Sequence, residues 1–142
     1  MTNGPRVQAI GYIRSALVRR ADAPKQGHEG APAAWLELEP AFAAGARDLR
    51  VGDELLLFTW LHESERDVLE VHPRDDMRQA LRGVFSTRSP DRPNPIGLHP
   101  VTVVEVAGAT RFRVEPIEAI DGTPVIDIKP VLDCARGSPS RS

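Results

Sequence analysis

The residues best suited to chemistry lie in one proline-rich stretch, GVFSTRSPDRPNPIGLHP, which covers positions 83–100. Arg88 and Arg92 carry planar guanidinium groups that suit carboxylate or phosphate, and Asn94 carries an amide that both donates and accepts hydrogen bonds. The four prolines exclude a regular helix or a central strand, and they reduce the entropy that is lost when donors are held in place. The stretch therefore predicts a stiff binding loop for a polar ligand, and the alternative is a rigid turn that closes a barrel.

A second polar cluster, HESERD, begins at His62, where the apolar run LLLFTWLH ends. Residues at the end of a buried strand can lie in a pocket mouth, where burial and neighbouring charges shift pKa values. We interpret His62 as a binding residue on this ground. Arg66 and Asp67, further along the cluster, are interpreted as structural members of a solvated turn whose ion pairs contribute little.

Two further clusters have backbone features suited to binding. The glycines of PKQGHEG, positions 24–30, would let backbone N–H groups approach a ligand closely, and a surface loop is the alternative. In DGTP, positions 121–124, the Asp121 carboxylate can accept a hydrogen bond from a ribose diol or an amine, although Asp-Gly is also a standard turn pair. Together the four clusters suit a polar, zwitterionic or nucleotide-like small molecule.

Metal and thiol chemistry have little support in the sequence. The four histidines, at positions 28, 62, 72 and 99, lack the spacing of metal ligands. Cys134 is the single cysteine, and a lone cysteine with scattered histidines is weak evidence for a nucleophile. We therefore expect no metal site.

The segments that flank these clusters are predicted to be short strands. WLELEP alternates apolar and polar residues, and LLLFTWLH has the length and composition of a strand buried on both faces. VTVVEV and RFRVEPIEAI, joined by AGAT, predict a hairpin, and DGTPVIDIKPVL predicts a last strand. About seven short strands separated by turns predict an all-β barrel or sandwich, with room for a helical turn in AFAAGARDLR.

Length and composition set the remaining expectations. A chain of 142 residues predicts one domain, with residues 134–142 a disordered tail. The net charge of -2 gives no global basic field for nucleic acid or anionic lipid. No apolar run approaches the length of a membrane span, no signal sequence begins the chain, and a single cysteine fits a reducing compartment. We therefore expect a cytoplasmic protein with no membrane partner.

The sequence resembles one known family in several motifs. GVFSTRSPDRPNPIGL together with DGTPVIDIKP is similar to the TsaA-like family, whose characterised members are TrmO-type tRNA methyltransferases. The similarity extends to IGYIRS, PKQG and FTWLH, and it spans roughly residues 8–133 in order. It implies a small single-sheeted β-barrel with short helical segments. It also implies a homodimer that binds S-adenosylmethionine near the subunit interface and methylates N6 of a threonylcarbamoyl-modified adenosine in tRNA.

The same resemblance implies which residues contact the cofactor. Carried over motif by motif, they are Lys25, Gln26, Gly27, His62, Glu63, Arg88, Leu98, Asp121, Gly122, Thr123 and Pro124. On this basis we expect Arg88 to pair with the methionyl carboxylate and the Asp121 turn to hold the adenosine or the amino end.

Methyl transfer from a sulfonium is an in-line displacement, so most of its catalysis is positioning. We expect Asn94 to act as the catalytic group by accepting a hydrogen bond from the attacking amine, with a backbone carbonyl beside a proline as the alternative acceptor. We expect Arg92 to contact the substrate. The longer tRNA-modifying members carry an additional C-terminal domain, which we do not expect in this chain and which would help to hold the tRNA. The alternative function is therefore a non-catalytic module that binds S-adenosylmethionine or a nucleotide.

Overall fold

The computed structural model describes residues 4–18 and 31–132. Within these residues the strands are β1 (Gly11–Arg14), β2 (Ala34–Leu38), β3 (Glu54–Trp60), β4 (Glu70–Val71), β5 (Arg82–Gly83), β6 (Ile96–Ala107), β7 (Arg111–Glu115) and β8 (Pro124–Pro130). The helical segments are short 3₁₀ turns at Pro40–Ala46, Pro73–Asp75 and Val84–Ser86. The predicted contacts Lys25, Gln26 and Gly27, and the predicted tail 134–142, lie outside the described residues.

Six strands close into an antiparallel barrel in the order β1-β2-β7-β6-β3-β8, and β4 pairs with β5 in a separate two-stranded sheet. The period-two alternation of each strand sends one set of side chains inward, where they fill the interior. The inward set includes Ile13, Leu36, Leu57, Val103 and Phe112, all at most 2% exposed. The predicted all-β barrel is therefore confirmed.

Strand β3 differs from its prediction. Its composition predicts burial on both faces, whereas the structure buries only the inward residues Leu55, Leu57 and Thr59. Leu56, Phe58 and Trp60 point outward and are half-buried. Because the outward residues are apolar as well, the alternation is invisible in the sequence. The outer wall of the barrel at β3 is consequently apolar.

The strand pairing brings three connections to one end of the barrel. Arg14 pairs with Trp35, Trp60 with Ile96, and Tyr12 with Pro124. Because all neighbours are antiparallel, β1, β3 and β7 end where β2, β6 and β8 begin. We call this the rim end. Segments 15–18, 61–95 and 116–123 leave the barrel there, and the β2–β3 and β6–β7 connections lie at the opposite end.

One glycine is required by the close approach of two strands. A side chain on Gly11 would overlap the backbone carbonyl oxygen of Glu37 in β2. Glycine at this position therefore allows β1 to pair tightly with β2. No helix in the part of the chain that the structure describes is long and apolar enough to cross a membrane.

Candidate functional site

The proline-rich loop is stiffened from within by Arg92. Its Nη1 donates to the carbonyl oxygens of Thr87 and Ser89, at 3.0 and 3.1 Å, and its Nη2 donates to that of Val84, at 2.7 Å. The Thr87 hydroxyl also donates to the Val84 carbonyl, at 3.0 Å. A guanidinium that caps three carbonyls of its own loop holds that loop in one shape. In the structure Arg92 therefore contacts loop backbone, and its contact with substrate stays a prediction.

The loop is joined to the segment that follows β3. The Leu61 amide donates to the Pro95 carbonyl at 2.8 Å, and the Arg92 amide donates to the Glu65 carbonyl at 3.0 Å. The Glu65 amide donates to Asp91 Oδ1 at 2.9 Å. Stretches 61–66 and 91–95 therefore lie side by side, although the two clusters are far apart in the sequence.

Arg66 occupies the centre of this junction. Its guanidinium lies 5.0 Å from the Trp60 ring centroid, and its Nε donates to the Pro93 carbonyl at 2.7 Å. Its Nη2 donates to Asn94 Oδ1 at 3.0 Å. The structural role predicted for Arg66 matches these contacts. They also show that the predicted catalytic amide of Asn94 is held by a cation and keeps one lone pair on its oxygen for another donor.

His62 and Glu63 lie at the rim end, just after β3. His62 Nε2 and Glu63 Oε2 are 3.9 Å apart, and their side chains are 36% and 49% exposed. An ion pair this long and this exposed contributes little to stability. Both side chains therefore remain available to a ligand.

The Asp121 turn is bonded to the end of β1. Asp121 Oδ1 accepts a hydrogen bond from the Ser15 amide at 3.0 Å, and the Asp121 amide donates to the Leu17 carbonyl at 2.6 Å. Gly122 has a φ of 82°, a left-handed conformation that favours glycine. The turn is thus fixed relative to β1, and its carboxylate serves partly as a structural acceptor.

The predicted residues Thr123 and Pro124 lead into β8. Thr123 is 1% exposed and its hydroxyl donates to the Ile120 carbonyl at 2.7 Å. A hydroxyl that is buried and bonded in this way supports the turn. Any contact of Thr123 with a ligand would therefore use its backbone. Pro124 is half-buried and pairs with Tyr12 on the neighbouring strand.

Three of the predicted segments converge around the end of β3. Leu98 on β6 pairs with Phe58, and Val125, which follows the Asp121 turn, pairs with Thr59. His62 and Glu63 directly follow β3. The end of β3 thus lies between Leu98 on one side and the 121–124 turn on the other.

Arg88 lies on the loop fixed by Arg92 and is exposed. Within residues 4–18 and 31–132 it has no hydrogen-bond or ion-pair partner. An arginine presented on a stiff loop without a partner is ready to pair with an anion such as a carboxylate. Its contact with the cofactor stays a prediction.

Two shallow pockets lie elsewhere. One of about 230 Å³ is lined by residues of the opposite end, among them Ala46, Arg47 and Phe112. The other, of about 120 Å³, is lined by residues that include Leu55, Val101 and Val131. No predicted cofactor contact lines either pocket.

The electrostatics of the described residues are mostly those of exposed charges. Hydrogen bonds from the Arg78 side chain and backbone hold the pKa of the Asp76 carboxyl below its usual value, in the segment between β4 and β5. In residues 4–18 and 31–132, no group of three His, Cys, Asp or Glu side chains is placed to hold a metal ion.

A buried polar network beneath the rim was not predicted. Thr59 Oγ1 lies 2.7 Å from His99 Nε2, and His99 Nδ1 lies 2.7 Å from Glu118 Oε1. The sequence does contain one signal for it. His99 stands in period-two register with Val101 and Val103, which predicts an inward imidazole in an apolar strand.

The comparison with known families identifies the chain. The sequence model of the tRNA-methyltransferase O N-terminal domain matches residues 12–135. The chain therefore belongs to this family, which confirms the resemblance seen in its motifs.

Relatives and solved structures agree with this assignment. A protein of Methanothermobacter thermautotrophicus, named a probable S-adenosyl-L-methionine-binding protein, is 40% identical over 128 residues, which cover 90% of either chain. An Archaeoglobus fulgidus protein named an S-adenosyl-L-methionine-binding protein is 37% identical over 131 residues, covering 90% of this chain and 92% of its own. A crystal structure of TrmO from Pseudomonas aeruginosa superposes with a TM-score of 0.70 at 30% identity, covering all of this chain and 61% of that one. This chain thus spans somewhat more than half of the solved TrmO chain.

Proposed function

We propose that this protein binds S-adenosylmethionine at the rim end of the barrel and transfers its methyl group to N6 of a threonylcarbamoyl-modified adenosine in tRNA. The observation that carries the proposal is the convergence of His62, Glu63, Leu98 and the 121–124 turn around the end of β3. Membership of the TrmO family supports the cofactor and the reaction. The names of the archaeal relatives support the cofactor as well.

The chemistry of the donors fits this cofactor. Arg88 is a guanidinium without a described partner, so it is free to hold the methionyl carboxylate in a bidentate pair. Asp121 uses one oxygen for the Ser15 amide, and its other oxygen accepts from the ribose or the amino group. Leu98 and Pro124 provide apolar contact for the adenine. Lys25, Gln26 and Gly27 are proposed to complete the contacts.

Catalysis rests on positioning. S-adenosylmethionine supplies an electrophilic methyl group, and the protein must align the attacking amine with it. Asn94 accepts a hydrogen bond from that amine through the lone pair of Oδ1 that Arg66 leaves open. Arg92 keeps the loop that carries both Arg88 and Asn94 in one shape. Any contact of Arg92 itself with the tRNA uses the edge of its guanidinium that faces away from the loop carbonyls.

We further propose that the protein is a cytoplasmic homodimer. The segment between β3 and β6 exposes four large apolar side chains: Leu69, Met77, Leu81 and Phe85 are 62, 75, 52 and 78% exposed. Ile96, which pairs with Trp60 at the end of β3, is also 46% exposed. Exposed apolar surface on this scale is typical of an interface, and a second copy of the chain is the partner we propose.

A non-catalytic S-adenosylmethionine-binding module is the second candidate function. The relatives that match along nearly their full length are named as binding proteins. The net charge of -2 also provides no global attraction for tRNA. This candidate shares the cofactor site and differs only in the absence of transfer.

One experiment separates the two functions. The protein is incubated with S-adenosylmethionine labelled in its methyl group and with tRNA that carries the threonylcarbamoyl modification, and the nucleosides are then analysed by mass spectrometry. We expect the label in the modified adenosine with the wild-type protein and a strong reduction with Arg88→Ala. Binding of the cofactor in calorimetry without label in any tRNA nucleoside would establish the binding module instead.

A further inference from the structure

Three polar side chains form a hydrogen-bonded chain inside the barrel, just beneath the rim. Thr59 is 0% exposed and His99 is 2% exposed, while the Glu118 side chain is 19% exposed. A neutral imidazole with its proton on Nδ1 satisfies both contacts of 2.7 Å, because Nδ1–H donates to Glu118 Oε1 and the Thr59 hydroxyl donates to Nε2. No buried side-chain nitrogen or oxygen in the described residues lacks a partner. The network is therefore complete.

The backbone around the network makes room for it. A side chain on Gly97 would overlap both Thr59 Oγ1 and His99 Nε2. The register between β3 and β8 shifts between Phe58 and Thr59, which is a bulge at the level of the network. Bulges occur next to functional sites, where they redirect side chains. Both features lie beside the network.

A polar network at this place is not needed for the core. Apolar side chains of similar volume often replace buried ion pairs with no loss of stability. The rest of the barrel interior is filled by residues such as Leu57, Val101 and Val125, all at most 4% exposed. Core stability therefore does not explain why an imidazole is bonded to a carboxylate in this interior.

The three residues of the network join β3, β6 and the 116–123 segment at the rim end. Thr59 lies three positions before His62, His99 directly follows Leu98, and Glu118 lies three positions before Asp121. The bond between Thr59 and His99 joins β3 to β6, and the bond between His99 and Glu118 joins β6 to the 116–123 segment. Loss of either hydrogen bond would therefore displace predicted cofactor contacts on β3, on β6 and on the 116–123 segment.

We infer that Thr59, His99 and Glu118 form a positioning network that holds β3, β6 and the 116–123 segment in the arrangement that binds the cofactor. The inference rests on the proposed function for the identity of the ligand. The network acts through its neighbours, and none of its members needs to contact the cofactor.

Hydrogen exchange tests the network without any cofactor. In Thr59→Val, which keeps the shape and removes the hydroxyl, we expect exchange of the Leu61 and Thr123 amides to accelerate about tenfold relative to Val131. The Val131 amide donates to the Glu54 carbonyl at the opposite end of the barrel, at 3.0 Å, and serves as an internal reference. Equal acceleration of all three amides would overturn the inference, because it would mean that Thr59→Val only lowers global stability.

Calorimetry with S-adenosylmethionine tests whether the network affects cofactor affinity. We expect Thr59→Val and Glu118→Gln to bind about tenfold more weakly than wild type, and Thr59→Ser to stay within about twofold. Val103→Ala is the matched control, because Val103 is 0% exposed in β6 and lies outside the network. Weakening by Val103→Ala equal to that by Thr59→Val would overturn the inference. Absence of binding by the wild-type protein would refute the proposed cofactor. The hydrogen-exchange measurement alone would then test whether the network holds β3, β6 and the 116–123 segment together.

Discussion

Arg66 and Asn94 are 28 positions apart in the sequence and are joined by a hydrogen bond of 3.0 Å from Nη2 to Oδ1. The same guanidinium lies 5.0 Å from the Trp60 ring centroid and donates to the Pro93 carbonyl. One side chain thus connects the end of β3 to the proline-rich loop. The position of Asn94, and with it the proposed hydrogen bond to the attacking amine, depends on this arginine.

Replacing Arg66 with alanine removes both hydrogen bonds and the ring contact. We expect a loss of about 1–2 kcal/mol in the free energy of unfolding, measured in urea, together with a decrease in methyl transfer that exceeds any decrease in cofactor affinity. Arg111→Ala is the matched control, because Arg111 lies 4.4 Å from the Trp35 ring on a different wall of the barrel. If both variants lost transfer equally, the link from Arg66 to Asn94 would have no role in the reaction.

Arg92→Ala separates loop stiffness from ligand contact. Loss of three bonds to loop carbonyls is expected to lower the free energy of unfolding by about 2 kcal/mol and to weaken cofactor binding by releasing Arg88. Urea unfolding and calorimetry on the same preparation measure the two effects. Unchanged stability accompanied by weaker binding of tRNA would instead assign Arg92 to the substrate, as the sequence predicts.

Gly97→Ala tests the space beside the buried network. The added methyl group would overlap Thr59 and His99, so we expect a destabilisation of about 1–3 kcal/mol. Gly45→Ala, at which a methyl group meets nothing within 4 Å, should have a melting temperature close to that of the wild type. Equal melting temperatures for the two variants would show that the network tolerates the methyl group.

Phe85→Glu tests the proposed dimer. A charge placed at a side chain that is 78% exposed in the monomer cannot be buried against a second copy without a large penalty. We expect sedimentation velocity to show a dimer for the wild type and a monomer for this variant. Val51→Glu, a replacement of a 62% exposed residue at the opposite end, should leave the dimer intact. A monomeric wild-type protein would refute the proposal outright.

The sequence contains enough local information for the barrel. Alternation in the strands, turn residues between them and the family motifs all indicate a closed β-sheet, and this is the observed fold. The limit is apparent at β3, where outward apolar residues such as Phe58 conceal the alternation. An apolar outward face and a buried inward face have the same composition, so a single sequence does not distinguish them.

The site was predictable only where motifs specify it. The sequence predicts that Arg92, which is rich in hydrogen-bond donors, contacts a ligand. In the structure its nitrogens bind carbonyls of the loop. These carbonyls are open to it because a loop without regular secondary structure leaves them unpaired. The network of Thr59, His99 and Glu118 depends on contacts across 40 and 19 positions. Such pairings follow from strand register, which one sequence does not display directly.

We propose that Arg88 holds the cofactor and that Arg92 and the segment after β3 fix the loop that carries it. Isothermal titration calorimetry with S-adenosylmethionine tests it most directly, using wild type, Arg88→Ala and the control Arg82→Ala in β5. We predict that Arg88→Ala binds between about tenfold and a hundredfold more weakly with an unchanged melting temperature, while Arg82→Ala binds like the wild type. Equal affinity of the wild type and Arg88→Ala would refute the proposed role of Arg88.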